Sequence, residues 1–166
     1  YKEPDLRKRW QDYIDGWVEL TGHKIQDWHY SCWPADRTRA PYQYYNTVNN
    51  YYTDNRDKTV GTFINGAANH WPRFHPTLYV WMKSLWDPDI NVDAVIDEYC
   101  DRMYGYASDT VREIVRIMAN GWEDTNWPGT SFSPKGMYEK SYPKKTLNRI
   151  KDLLAKARQQ VEGNEL

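Results

Sequence analysis

Apolar residues recur at spacings of three and four along most of this chain, which is the pattern of helices with one buried face. Residues 5–21 show it most fully, and their apolar positions are Leu6, Trp10, Tyr13, Ile14, Trp17 and Leu20. The same spacing predicts further helices over residues 42–56, 76–86, 89–103, 108–121 and 143–161. Gly22, Gly105 and Gly121 mark the expected ends of three of these helices.

Two short segments interrupt the helical pattern and are predicted to be strands. Residues 23–30 and 58–64 contain β-branched and aromatic side chains, and a loop follows each, the second beginning at an Asn65-Gly66 turn. Strands that alternate with helices predict parallel pairing through a right-handed crossover. Parallel strands need cover on both faces, so we expect neighbours that this chain does not supply. Residues 122–142, rich in Gly, Pro and Ser, are expected to form a loop.

The composition is unusually rich in Trp and Tyr relative to Phe. The 166 residues include 9 Trp and 14 Tyr but only 3 Phe. Rings with a polar edge suit positions where one side is buried and the other meets water or a ligand. Pyranose sugars stack their C–H faces on such rings, so the clusters in residues 28–33 and 71–86 indicate carbohydrate binding. The alternative for any single ring is that it covers a helix surface.

Charge and hydropathy argue against two classes of partner. The net charge is −1, from 22 basic and 23 acidic residues, which disfavours a nucleic-acid or membrane partner held by charge. No apolar run approaches the roughly 18 residues of a membrane span. The sequence begins at Tyr1 without signal-peptide character, so we expect that a leader was removed or that the chain is part of something longer.

The candidate binding residues lie where the predicted strands end, because sites in β/α proteins form at the C-terminal ends of strands. The side chains expected to contact substrate there are Trp28, His29, Tyr30, Trp33, Asn65, His70 and Trp71. Their rings and hydrogen-bonding groups match the needs of a sugar subsite. Exposed Trp side chains could instead hold a layer of helices together.

No cofactor, metal or catalytic pair is predicted from the residues. Cys32 and Cys100 match no metal or redox spacing, and Cys100 is expected to be a buried thiol. Glycoside hydrolysis usually needs two carboxylates that face one bond. Neither strand end supplies such a pair, and Asp27, inside the first strand, could point to either face.

One long motif carries a family resemblance. It comprises residues 78–88 (LYVWMKSLWDP), residues 92–100 (VDAVIDEYC) and the Tyr104-Gly105 pair, and it closely resembles the DUF4838 family. Members of that family are similar to glycoside hydrolases, with an architecture related to α-glucuronidases and β-hexosaminidase-type barrels.

The resemblance implies an α/β fold for this chain. Residues 1–88 would form the two C-terminal β/α units of a TIM-type barrel, and residues 89–166 a trailing all-α subdomain. The partners implied are an oligosaccharide or polysaccharide and the missing N-terminal part of the barrel. The catalytic carboxylates would lie outside this chain, and the location would be extracellular or periplasmic.

Two positions depart from the family pattern. The first strand end often reads Trp-Asp-Tyr in the family, whereas here it reads Trp28-His29-Tyr30. The second often has an acidic or amide residue before the Gly, and here Asn65 occupies that position. Asn65 can still bind a hydroxyl group, whereas His29 cannot replace an acid without a change of role.

The sequence therefore leaves three functions open. The first is part of a glycoside hydrolase-like enzyme in which this chain supplies pocket loops. The second is a non-catalytic carbohydrate-binding module, and the third is a helical structural or interaction domain whose aromatic residues are all core. The sugar, the linkage and the stereochemistry do not follow from the sequence.

Overall fold

The computed structural model of the chain describes residues 4–30, 42–65, 71–125, 134–162 and 164. These residues are mostly helical. In chain order the elements are α1 (Pro4–Thr21), β1 (Ile25–Tyr30), α2 (Tyr45–Asp54), β2 (Thr59–Asn65), α3 (Trp71–Trp86), α4 (Val92–Tyr104), a 3-10 turn (Gly105–Ala107), α5 (Ser108–Glu123), α6 (Pro134–Ser141) and α7 (Lys144–Val161). None of the helices in the described part is long and apolar enough to cross a membrane.

The two strands form a parallel pair connected through α2. Their register runs from Ile25 opposite Thr59 to Tyr30 opposite Asn65, with an irregularity after Ile25. Gly61 has a φ of +157° in this irregular part, a backbone conformation that glycine adopts most easily. The predicted parallel pairing is confirmed.

The prediction that residues 1–88 form TIM-type barrel units is wrong. The described residues contain one two-stranded sheet and no further β/α unit, while the remaining elements are helices. The alternation of strand and helix stops at α3, because the Asp87-Pro88 turn leads directly into another helix. The apolar stripe of α4 then packs on α3 and α5 rather than on a strand. The division of the chain near residue 88 stays a prediction.

Several predicted boundaries also change. The helix predicted from residue 76 begins at Trp71, and two helical pieces meet at Phe74, whose φ of −133° is not helical. The segment 122–142, predicted to be a loop, contains α6. The loop predicted for residues 31–41, including Cys32, lies outside the described residues.

The core consists of adjoining helix–helix clusters. One lies between α2 and α3 and contains Tyr42, Val48, Tyr52, Phe74, Leu78 and Trp81. A second unites α3, α4 and α5 around Val80, Ile96, Tyr99 and Cys100. A third joins α5 to α7 through Ile114, Ile150 and Leu153. The polar side chain of Asn49 is also buried. Its amide is satisfied because it donates hydrogen bonds to Ser84 Oγ and to the Pro88 carbonyl.

Helix α1 differs from the others because it has no buried residue. Its predicted apolar stripe is helical but largely exposed, as at Trp17 and Leu20. Polar contacts attach α1 to the turn before β2: Gln11 donates a hydrogen bond to Asn55 at 2.8 Å, and Lys58 pairs with Asp15 at 2.5 Å. Thus α1 is held by its polar side.

Candidate functional site

An exposed aromatic pair lies on one face of the two-stranded sheet. Trp28 and Phe63 are directly opposite each other in the parallel register, and their ring centroids are 4.7 Å apart. Trp28 is 61% exposed and Phe63 is 49% exposed, although both are large apolar residues. Side chains alternate between the two faces of a strand, so Asn65 at the end of β2 belongs to the face of Phe63. We call this the open face.

The opposite face of β1 presents Asp27 and His29 to the helices. Asp27 Oδ1 accepts a hydrogen bond from the Tyr51 hydroxyl of α2 at 2.8 Å. The His29 imidazole packs edge-on against Tyr51 and Trp81, with centroid distances of 5.7 and 5.0 Å. Its Nε2 lies 3.8 Å from Asp27 Oδ2. Both atoms are buried and have no hydrogen-bond partner among the described residues.

The tyrosines behind this pair, Tyr51 and Tyr52, have neutral hydroxyls at physiological pH. Burial, followed by the hydrogen bond to Asp27, raises the pKa of Tyr51 well above its ordinary value. Burial likewise raises the pKa of Tyr52, whose hydroxyl accepts a hydrogen bond from Trp81 Nε1 at 2.9 Å. The side of the sheet that faces α2 and α3 is therefore packed against aromatic side chains and contains one buried carboxylate, Asp27.

The predicted substrate-binding residues do not all share one surface. Trp28 and Asn65 belong to the open face, whereas His29 points towards α2 and α3. Tyr30 pairs with Asn65 in the register, and Trp71 is the first residue of α3, but their side chains lie outside what is described. Trp33 and His70 also lie outside the described residues.

Sequence reasoning missed Phe63 and Tyr51. Phe63 could have been found by aligning the two predicted strands in parallel, which places it beside Trp28. Tyr51 gave no such signal, because its contact with Asp27 depends on how α2 crosses the sheet. Asp27, which the sequence left undecided, points to the helices and has a side chain only 9% exposed.

The described side chains offer little for metal or thiol chemistry. They include no group of three or more His, Cys, Asp or Glu residues arranged to hold a metal ion. Cys100 is fully buried, and burial raises its pKa to about 11, so at neutral pH it is an inert thiol.

The comparisons with known proteins give a family and no closer relative. Searches of curated proteins and of solved structures found no match. A family model described as "Domain of unknown function (DUF4838)" matches residues 2–116, which include α1, the sheet and the helices up to the middle of α5. The chain belongs to the DUF4838 family.

Proposed function

We propose that this chain is part of a carbohydrate-active, glycoside hydrolase-like protein and supplies residues that contact the sugar. The catalytic carboxylates would come from outside the chain, and the protein would act at the cell exterior or in the periplasm. The observation that carries the proposal is the exposed Trp28–Phe63 pair on the open face.

The physical basis is the exposed ring surface of this pair. Phe63 supports the Trp28 ring from one side, which limits its motion and so lowers the entropy lost when a ligand binds. A sugar ring stacked on the exposed indole would bury apolar C–H groups while its hydroxyls remain able to bond to polar groups nearby. Asn65 provides such a group at the end of β2.

A fluorescence titration with sugars tests the proposal. The probes are xylo-, cello- and chito-oligosaccharides and oligosaccharides that contain a uronic acid. We expect one class to change the tryptophan emission of the native chain. Because Trp28→Ala removes the reporting ring, calorimetric titration compares the two proteins, and we expect the variant to bind at least about tenfold more weakly, the loss of roughly 1.4 kcal/mol.

Trp86→Ala is the matched control. Trp86 is 92% exposed but belongs to α3, away from the open face, so its removal should leave the affinity unchanged. Binding that survives in Trp28→Ala, or no binding by any probe, would count against a sugar-contacting role for this pair. The non-catalytic alternative is separated from the hydrolase by an assay of the full protein for release of reducing ends.

A further inference from the structure

Asp27 is a buried carboxylate that is only half satisfied by the described residues. One oxygen accepts the Tyr51 hydroxyl bond, while the other faces His29 Nε2 across 3.8 Å. An isolated buried carboxylate oxygen is costly, and so is an isolated buried imidazole nitrogen. The two atoms face each other just beyond hydrogen-bond range, and no other described group satisfies either of them.

The surroundings of His29 leave few alternatives for its ring. Tyr51 and Trp81 pack against it from α2 and α3, so the imidazole cannot turn freely. The side chain is nevertheless 32% exposed. The buried Nε2 of this ring faces Asp27 Oδ2.

We propose that Asp27 is a positioning residue that holds the His29 Nε2 proton, which leaves Nδ1 of the ring as a hydrogen-bond acceptor. In a neutral imidazole the nitrogen that donates to a carboxylate fixes the tautomer, and the other nitrogen becomes the acceptor. The Tyr51 hydroxyl bond keeps the Asp27 carboxylate oriented towards the ring.

The decisive measurement is the tautomer of His29 in the native chain. Proton–nitrogen correlation spectra of the nitrogen-labelled chain above the pKa of histidine distinguish protonated Nε2 from protonated Nδ1. Loss of a signal in His29→Gln assigns the resonance. We expect native His29 to carry its proton on Nε2 and Asp27→Asn to shift it towards a mixture of tautomers.

His75 is an internal control in the same spectra. Its Nδ1 lies 3.1 Å from the Tyr99 hydroxyl, remote from Asp27 in the α3–α4 cluster, so its tautomer should not respond to Asp27→Asn. A native His29 protonated on Nδ1 would overturn the positioning role, and this outcome needs no variant to fold.

Discussion

The thiol of Cys100 illustrates how the core controls a single residue. The side chain has no exposed surface, and burial raises its pKa to about 11. A thiol reagent reacts with the thiolate form and must reach the sulfur. In the folded state Cys100 is protonated and inaccessible, so it meets neither requirement. In a Cys32→Ser background, we expect Cys100 to resist a disulfide reagent at about pH 8 and to react fully when urea unfolds the chain. Rapid reaction of the folded protein would contradict its position in the core.

The residues of β1 show what the sequence could and could not predict. Alternation along the strand predicts that Trp28 and His29 occupy opposite faces, and it does so without a structure. It does not predict which face is exposed. In this chain the polar Asp27 and His29 face the helices, whereas the large Trp28 faces outwards, the reverse of the usual preference. Partners on α2 and α3 stabilise that arrangement, and the pattern within β1 contains no information about them.

At the scale of elements, Glu123 of α5 caps the N-terminus of α2. Its carboxylate accepts bonds from the Thr47 backbone N–H at 2.8 Å and from Asn46 Nδ2 at 2.7 Å. Tyr44, at the N-cap position, makes no side-chain cap bond, so Glu123 replaces the missing cap across the fold.

Removing this cap should destabilise the protein. We expect Glu123→Ala to lower the free energy of unfolding in urea by about 1–2 kcal/mol. Glu19→Ala, an exposed acid in α1, is the control and should change it by less than about 0.5 kcal/mol. Equal effects of the two substitutions would show that the Glu123 contacts contribute no net stability.

Gly121 permits a close approach between α5 and the C-terminal end of α6. A Cβ at this position would lie 2.4 Å from the Ser141 carbonyl oxygen and 3.0 Å from the Tyr142 ring. The sequence places Gly121 near the end of the helix, and α5 ends at Glu123. Spacing along the chain cannot distinguish a helix-ending glycine from one required by a neighbouring backbone, because the neighbour is distant in sequence.

A pair of glycine substitutions tests this role. Gly121→Ala should lower the free energy of unfolding by about 1–3 kcal/mol, since the backbone that it meets must move. Gly16→Ala in α1 has nothing within 4 Å of its Cβ and should raise the free energy by about 0.5–1 kcal/mol through helix propensity. Urea unfolding of both variants measures the difference. If both substitutions stabilised the protein, residues 121 and 141 would have to be farther apart in solution than they are in this structure.

At the scale of the whole molecule, the helical periodicity predicted most of what forms the core. The stripes predicted for α4, α5 and α7 are the ones that pack together, as at Val95, Ile114 and Ile150. The stripe of α1 has the same spacing yet stays exposed, because periodicity identifies an apolar face and not its partner. The barrel prediction failed for a related reason: it came from resemblance, while the described residues alternate strand and helix only twice.

The buried tyrosines couple the stability of the whole molecule to alkaline pH. Burial is the largest cause that raises the pKa of five of them above the ordinary value of 10.0, and these are Tyr45, Tyr51, Tyr52, Tyr99 and Tyr142. In the unfolded chain they titrate near their ordinary value, so the unfolded state loses protons first. The stability that they contribute is therefore complete below about pH 10 and is lost as the pH rises towards the folded-state values.

This linkage predicts a cooperative alkaline transition. Above about pH 10 the free energy of unfolding should fall by up to about 1.4 kcal/mol per pH unit for each buried tyrosine. Urea unfolding at a series of pH values measures the slope, and tyrosinate absorbance in the near ultraviolet reports when the hydroxyls ionise. In the folded protein much of that absorbance should appear only with the loss of helical circular dichroism, whereas in urea it should appear near the ordinary tyrosine pKa. A free energy of unfolding that stays level across this range would contradict the burial of these side chains.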